Sequence, residues 1–202
     1  MVNEYRLKTP LSEEDIRKLD IGDIIYLSGI IVSARDAGHR RALELLNKGE
    51  KLPLDLHGLA VYHLGPVVKK INNEWKVIAA GPTTSARLEM YEAEFIEKTG
   101  VRMIIGKGGM GTKTADACKK FGAVYTIYPG GVAAVAAKSV KKVIDVYWLD
   151  LGIPEAMWVL EVDNFGPLMV TIDSKGKNFY DQIYTEARRR LDKEIYPKLG
   201  IT

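Results

Sequence analysis

The chain begins with a helix pattern, an apolar run and a second helix pattern. Ser12 followed three residues later by Asp15 is a capping arrangement typical of a helix N-terminus. The apolar run at residues 24–32 predicts a strand. Asp36 can cap a helix over about residues 37–48, so we expect a strand-to-helix turn just before it.

From residue 75 the pattern alternates between short apolar runs, turns that contain glycine, and helical segments. A further apolar run at residues 59–64 precedes them. Such alternation is typical of βα units and predicts a largely parallel or mixed sheet flanked by helices. The predicted units are strand 75–80 with helix 84–98, strand 101–105 with helix 113–121, and strand 123–128 with helix 132–138.

The C-terminal part differs because its apolar runs are not separated by helices. Residues 143–148, 157–162 and 168–172 are predicted strands joined by turns. Asn178 then caps a long final helix that reaches about residue 198. The whole pattern predicts an α/β fold with a central mixed sheet flanked by helices.

Composition supports one ordered domain over residues 1–202. The chain has 202 residues, of which 47% are hydrophobic and 27% are charged, enough for a buried core. A net charge of +3 with scattered basic residues argues against nucleic-acid binding. No run approaches the ~20 apolar residues of a membrane span, and the N-terminus lacks the apolar region of a signal peptide. We therefore expect a cytoplasmic protein that binds neither nucleic acid nor membrane.

The single cysteine, Cys118, limits the metal chemistry of the chain. A zinc or iron–sulfur site takes three or four protein ligands, so another chain would have to supply most of them. Cys118 follows the helical spacing of apolar neighbours, which predicts a buried small side chain. His39, His57 and His63 lie in different segments without metal-ligand spacing, so we expect surface or packing roles for them.

Three predicted strand-to-helix turns each place a cation near a helix N-terminus: Arg35, Arg87 and Lys107. A cation there is disfavoured by roughly 0.3–1 kcal/mol unless something negative faces it. Ligands of open α/β sheets bind at the carboxyl ends of the strands, where these three side chains would converge. Three cations around a small ligand suggest two carboxylates. Thr83, in the second turn, adds a hydroxyl that either serves the ligand or caps the helix.

Local alternatives exist for each of these cations. Arg87 can pair with Glu89 or Glu92 along its own helix, and Arg35 can pair with the adjacent Asp36. The glycines around Lys107 can serve tight turns and close packing instead of a ligand.

The same glycine run formally matches a dinucleotide-binding fingerprint at Gly106, Gly108 and Gly111. That fingerprint requires an acidic residue about 20 positions further on, and the next strand ends in Pro129-Gly130-Gly131 instead. A Walker A loop requires Ser or Thr after its lysine, and Gly108 follows Lys107. Nucleotide binding is therefore the weaker interpretation.

Seven stretches that cover most of the chain from about residue 20 resemble one family. They read Ser33-Ala34-Arg35-Asp36-Ala37-Gly38-His39, Gly81-Pro82-Thr83-Thr84-Ser85-Ala86-Arg87, Ile105-Gly106-Lys107-Gly108-Gly109-Met110, Tyr128-Pro129-Gly130-Gly131, Asp150-Leu151-Gly152-Ile153-Pro154-Glu155-Ala156, Asn164-Phe165-Gly166-Pro167 and Thr171-Ile172-Asp173. The combination resembles the β subunit, equivalently the C-terminal domain, of the iron–sulfur hydro-lyases that include class I fumarate hydratase and L-tartrate dehydratase.

The resemblance implies a swivelling β/β/α domain and a partner. The partner is an α subunit that holds a [4Fe–4S] cluster through three cysteines and leaves one iron open to a small dicarboxylate substrate. An αβ or (αβ)2 assembly follows. The lone cysteine of this chain fits that division, because the chain would supply the substrate-binding cations and the α subunit the metal.

The resemblance also implies roles for the residues of the turns. By motif, Thr83 resembles the catalytic base and also binds substrate, while Arg35, Arg87 and Lys107 resemble the groups that hold the substrate carboxylates. Asp36 is a candidate acid, base or orienting group.

The implied activity is the reversible hydration of fumarate to L-malate, with L-tartrate dehydration as the close alternative. Ser33-Ala34 and Ser85-Ala86 depart from the Thr-Gly and Ala-Gly expected in many relatives, so the shape of the pocket and the choice of substrate stay open. A hypothesis of a different class is a stand-alone module that binds a nucleotide or a carboxylate without metal.

Overall fold

The computed structural model describes residues 2–200. Strands and helices alternate through the first two thirds of the chain, except where three strands follow one another at residues 60–79. The strands are β1 (Glu4–Lys8), β2 (Ile24–Ser33), β3 (Ala60–Tyr62), β4 (Val67–Ile71), β5 (Glu74–Ala79), β6 (Met103–Gly106), β7 (Val124–Ile127), β8 (Val140–Tyr147) and β9 (Met157–Ile172). The helices are α1 (Glu13–Arg17), α2 (Asp36–Asn47), α3 (Glu89–Thr99), α4 (Thr112–Phe121), α5 (Ala133–Lys138) and α6 (Phe179–Arg190).

Seven of these strands form one mixed sheet in the order β1-β2-β3-β6-β7-β9-β8. The first five pair in parallel, and β9 pairs antiparallel with β7 and β8. Because β9 also pairs antiparallel with β2, the pairings run in a closed circuit through β2, β3, β6, β7 and β9. This architecture confirms the predicted α/β class with a central mixed sheet.

Side chains of the central strands alternate between two buried layers, as the period of a strand requires. On β3, Ala60 and Tyr62 point into one layer and Val61 points into the other. The first layer is rich in aromatic residues and includes Trp158 and Phe165, both fully buried. The second layer lies between the sheet and helices α2, α3 and α4. The sheet is therefore covered on both faces, which fits its continuous apolar strands.

The sequence misplaced one strand and missed two. Residues 75–80 were predicted within the main sheet, but β5 pairs only with β4 in a separate hairpin among the described residues. The hairpin packs Trp75 edge-on against Trp158 at 5.3 Å between ring centroids, so only one of its faces is covered. Strands β1 and β4 are the two that the pattern did not predict, and each has at most one buried residue.

Two further boundaries differ from the prediction. Residues 157–162 and 168–172 are parts of the single strand β9, which runs past three neighbours. The predicted helix 84–98 begins with a 3-10 turn, Ser85–Leu88, before α3.

The predicted caps have different outcomes. Ser12 and Asp15 form the capping box at the start of α1, and Asn178 accepts a hydrogen bond from the Tyr180 amide at the start of α6, as expected. Asp36 does not cap α2: Arg35 occupies the cap position, and Asp36 is the first helical residue. Its carboxylate still favours the helix electrostatically, because it lies at the positive end of the dipole.

None of the helices within residues 2–200 is long and apolar enough to cross a membrane. The single-domain boundary at residues 1–202 stays a prediction.

Candidate active site

The carboxyl ends of four parallel strands meet at one edge of the sheet. Ser33 at the end of β2 is aligned with Tyr62 on β3, which is aligned with Ile105 on β6, and Gly106 is aligned with Ile127 on β7. The chain leaves this edge through the turns that carry Arg35 and Lys107. The sequence-predicted meeting point of these turns therefore exists in the structure.

The second turn, which carries Thr83 and Arg87, reaches the same edge by another route. Thr84 pairs with Lys107 in an isolated parallel bridge, and the Ser85 amide donates to the Lys107 carbonyl at 3.0 Å. In addition, the Thr83 amide donates to the carbonyl of His63 at 2.7 Å. The turn from Gly81 to Arg87 is thus joined to the sheet edge by its own backbone, although the strand before it belongs to the hairpin.

Arg87 connects two of the candidate residues. Its Nη2 donates to Thr83 Oγ1 at 3.0 Å and to Asp36 Oδ2 at 3.3 Å. Half of the Arg87 side chain is exposed, and so is 43% of Asp36. The carboxylate that faces Arg87 is therefore Asp36 and not Glu89 or Glu92, and the guanidinium still has nitrogens open to a ligand.

Arg35 is paired with a residue that the sequence did not indicate. Its Nε lies 3.3 Å from Glu155 Oε1, and the other oxygen of Glu155 accepts the Ala37 amide at 2.8 Å. Arg35 is thus not paired with Asp36. The absence of a side chain at Gly65 leaves room for the Arg35 guanidinium, because a Cβ at residue 65 would lie 2.7 Å from Arg35 Nη1. The only signal for Glu155 was that it lies inside one of the motif stretches, with no role assigned to it.

Lys107 is held by its backbone, and its side chain is left without a carboxylate. The Lys107 amide donates to Ser85 Oγ at 3.1 Å. Among residues 2–200, no acidic oxygen lies within 4.0 Å of its ammonium. A partly buried cation of this kind is suited to an anionic ligand.

The glycine run next to Lys107 does not present a free helix N-terminus. The Glu89 carboxylate accepts the Gly111 amide at 2.7 Å and the Thr114 hydroxyl at 2.7 Å, with the Thr114 amide at 3.2 Å. In a dinucleotide site these donors would face a phosphate. The position is taken by a carboxylate of the chain itself, which weakens the nucleotide interpretation further.

A buried group of three titratable side chains lies beneath the turns. His39, His63 and Glu92 are fully buried, and their ligand atoms lie within 4.8 Å of one another, a separation at which a metal ion could be held. His39 and His63 are packed in the interior, one of the two roles expected of them, but the sequence did not indicate that they lie beside each other and Glu92. Local spacing gave no signal, because α2, the end of β3 and α3 bring the three residues together.

The pKa values of Glu92 and His63 are both lowered, for different reasons. For Glu92, desolvation alone would raise the pKa of the carboxyl, but the charges and hydrogen bonds of His63 and His39 outweigh it and lower that pKa. For His63, burial lowers the pKa of the imidazole despite the attraction of Glu92. Both directions favour a charged Glu92 beside a neutral His63.

Cys118 is fully buried in α4, as expected, and burial raises the pKa of its thiol well above the usual value. A cluster ligand must be a thiolate. The residues of this chain therefore do not fit an iron–sulfur cluster.

Gly106 is required by the closeness of the second and third turns. A Cβ at this position would lie 1.8 Å from Ser85 Oγ, far inside contact distance. We expect Gly106→Ala to lower the free energy of unfolding by about 1–3 kcal/mol, measured by urea denaturation. Adding Ser85→Ala removes the closest clashing atom, so the double variant should be more stable than the sum of the two single effects. Strict additivity would show that the Ser85 hydroxyl is not the obstacle.

The fold and the site together define an α/β domain with cations and a hydroxyl at one sheet edge, an arrangement suited to a small anionic ligand. The comparisons with known proteins agree with this class. The family model described as Fumarase C-terminus matches residues 1–183. The chain belongs to this family.

Three relatives are similar to this chain over most of its length. The L(+)-tartrate dehydratase subunit beta of Escherichia coli K12 is 44% identical over 192 residues, 94% of each chain. A putative L(+)-tartrate dehydratase subunit beta of Methanocaldococcus jannaschii is 47% identical over 191 residues, again 94% of each chain. A putative class I fumarate hydratase of Geobacillus stearothermophilus is 42% identical over 188 residues, which are 93% of this chain but 35% of that longer protein.

Proposed function

We propose that this chain is the β subunit of a heteromeric hydro-lyase that acts on a four-carbon dicarboxylate. The observation that carries the proposal is the contact of Arg87 with Thr83, beside Arg35 and Lys107 at the same sheet edge. These residue types match the chemistry of removing a carbon-bound proton next to a carboxylate. That step leaves negative charge on the carboxylate, and fixed cations stabilise such charge as it develops.

Thr83 is the proposed base in this reaction. A threonine hydroxyl is a poor base unless its alkoxide is favoured by nearby positive charge. Arg87 Nη2 lies 3.0 Å from Thr83 Oγ1 and provides that charge. Asp36, on the same nitrogen, holds the guanidinium in place and is the second candidate for proton transfer. Arg35 and Lys107 then bind the two carboxylates of the substrate.

A partner subunit is the second part of the proposal. The proposed cofactor is a [4Fe–4S] cluster carried by a partner α subunit, since the one cysteine of this chain is buried. Support for a partner over the site comes from large apolar side chains near the same turns. Met90 follows Arg87 closely and is 72% exposed, and Ile153 precedes Glu155 and is 40% exposed. Exposed apolar groups around a polar site are typical of a surface that another subunit covers.

Fumarate and L-malate are the proposed substrates, following the sequence motifs. L(+)-tartrate is the second candidate, and the names of two relatives favour it. The site residues described here serve both reactions, because both substrates are four-carbon dicarboxylates in which the carbon that loses or gains a proton carries a carboxylate.

The proposal is tested by producing this chain with and without an α subunit that bears cluster cysteines. We expect the isolated chain to be iron-free and inactive, and the anaerobically purified complex to be an oxygen-sensitive hydro-lyase. Fumarate, malate and both tartrates assayed side by side identify the substrate. A complex without activity on any of them would contradict the proposal.

Isothermal titration of the isolated chain separates this proposal from the stand-alone binding module. Half of an active site should bind dicarboxylates weakly, because the partner's share of the contacts is missing. Tight binding of a nucleotide would instead support the module.

A further inference from the structure

The buried group beneath the turns has a proton arrangement that the structure constrains. His39 Nδ1 lies 2.9 Å from the carbonyl oxygen of Arg35, which can only accept a hydrogen bond. Nδ1 must therefore carry a proton. The other ring nitrogen of His39 lies 3.5 Å from Glu92 Oε2 in a fully buried environment and has no hydrogen-bond partner among the described residues. Without a second proton, a lone pair would face a carboxylate there.

The contacts of His63 assign the remaining protons. Ser85 Oγ accepts the Lys107 amide, so the single hydrogen of the hydroxyl is free to donate to His63 Nδ1 at 2.8 Å. His63 Nε2 then donates to Glu92 Oε2 at 2.9 Å, the distance of a charge-assisted hydrogen bond. With this assignment of protons His63 is neutral, and the positive charge that balances Glu92 falls on His39.

We propose that His39, Glu92 and His63 form a buried ion-pair network that positions all three turns of the active site. The claim that the network positions residues for catalysis rests on the proposed function, whereas the proton arrangement of the network does not. An ion pair of one imidazolium and one carboxylate leaves the buried group neutral, as an interior requires. A divalent metal held by the same three side chains would leave a buried net charge.

The first connection runs from His39 to the Arg35 turn. Both the ring Nδ1 and the backbone amide of His39 meet the Arg35 carbonyl, at 2.9 and 2.8 Å. This carbonyl belongs to the residue that caps α2 and immediately precedes Asp36. The orientation of Arg35 and Asp36 therefore depends on where Glu92 holds the His39 ring.

The second connection runs from His63 to the other two turns. The backbone carbonyl of His63 accepts the Thr83 amide, and its ring accepts the Ser85 hydroxyl that receives the Lys107 amide. Thr83 and Lys107 are thus held by the same residue. Since Glu92 contacts both histidines, one carboxylate links the base candidate to the cations that bind substrate.

The network is tested first by nitrogen-15 NMR of the full chain labelled at histidine. With only three histidines, His57→Gln leaves His39 and His63 as the two signals. At neutral pH we expect His39 to show two protonated ring nitrogens and His63 one, on Nε2. Glu92→Gln should remove the charged signature of His39. A neutral His39 in the unsubstituted chain would overturn the network, as would a stoichiometric metal found by elemental analysis.

The positioning role is tested in the complex with the α subunit. Glu92→Gln should lower kcat/KM at least tenfold, while Thr99→Val should leave it within twofold. Thr99 is the matched control because it is a buried polar residue of the same helix, and its hydroxyl bonds only to the backbone of Phe95 and of nearby Val101, away from the three turns. Unchanged kcat/KM in Glu92→Gln would overturn the positioning role. An unsubstituted complex inactive on all four acids would contradict the proposed function, and the NMR result would still decide the network.

Discussion

Thr83→Val is expected to reduce kcat of the reconstituted enzyme by about 10²–10⁴-fold, the usual contribution of a positioned proton-transfer group. Valine keeps the shape of threonine and removes only the hydroxyl that receives the Arg87 hydrogen bond. Because the arginine and lysine side chains that hold the substrate remain, KM should change little. A loss confined to kcat marks an interaction made in the transition state.

Thr84→Val is the matched control for this experiment. Thr84 is adjacent and exposed, and its side chain makes no capping hydrogen bond. Its variant should retain kcat within about twofold, since surface substitutions away from special features have small effects. Near-normal turnover of Thr83→Val would exclude Thr83 as the base and leave Asp36 as the candidate.

The features that the sequence predicted well are those governed by local periodicity. Strand β2, helix α2 and the cap at Asn178 lie at or within a few residues of the predicted positions. Each combines an apolar run or a capping residue with neighbours close in sequence. The position of the Arg35 and Lys107 turns at one sheet edge followed from the same pattern, because parallel strands end together.

The features that the sequence missed depend on partners far along the chain. The placement of β5 depends on its hairpin partner β4, which has no strong apolar pattern. The length of β9 depends on three neighbouring strands, whose pairing bridges the polar residues between its two apolar runs.

The candidate site shows the same division. Arg87 and Lys107 could be selected from their turns alone, but the partners that set their surroundings could not. Glu155 lies 120 residues from Arg35, and His63 lies 29 residues from Glu92. The sequence alone therefore identifies the cations of the site, whereas their ion-pair partners follow only from the fold.

Arg87→Gln is the second substitution with a large expected effect. Arg87 contacts both Thr83 and Asp36 through one nitrogen, so its loss removes positive charge from the base and from the substrate site together. We expect kcat/KM to fall about 10²–10³-fold, as when one preorganised donor of an anionic transition state is removed. Both kcat and KM should change, in contrast to Thr83→Val. Steady-state kinetics of the αβ complex measure both constants.

Two further variants show what Arg87 contributes. Arg40→Gln is the matched control: Arg40 is an exposed arginine of α2, four residues after Asp36, and its loss should leave kcat/KM within about twofold. Asp36→Asn keeps a hydrogen-bond acceptor for Arg87 but removes the charge. If Asp36 only orients the guanidinium, this variant should lose far less activity than Arg87→Gln. A loss as large as that of Thr83→Val would instead place proton transfer on Asp36.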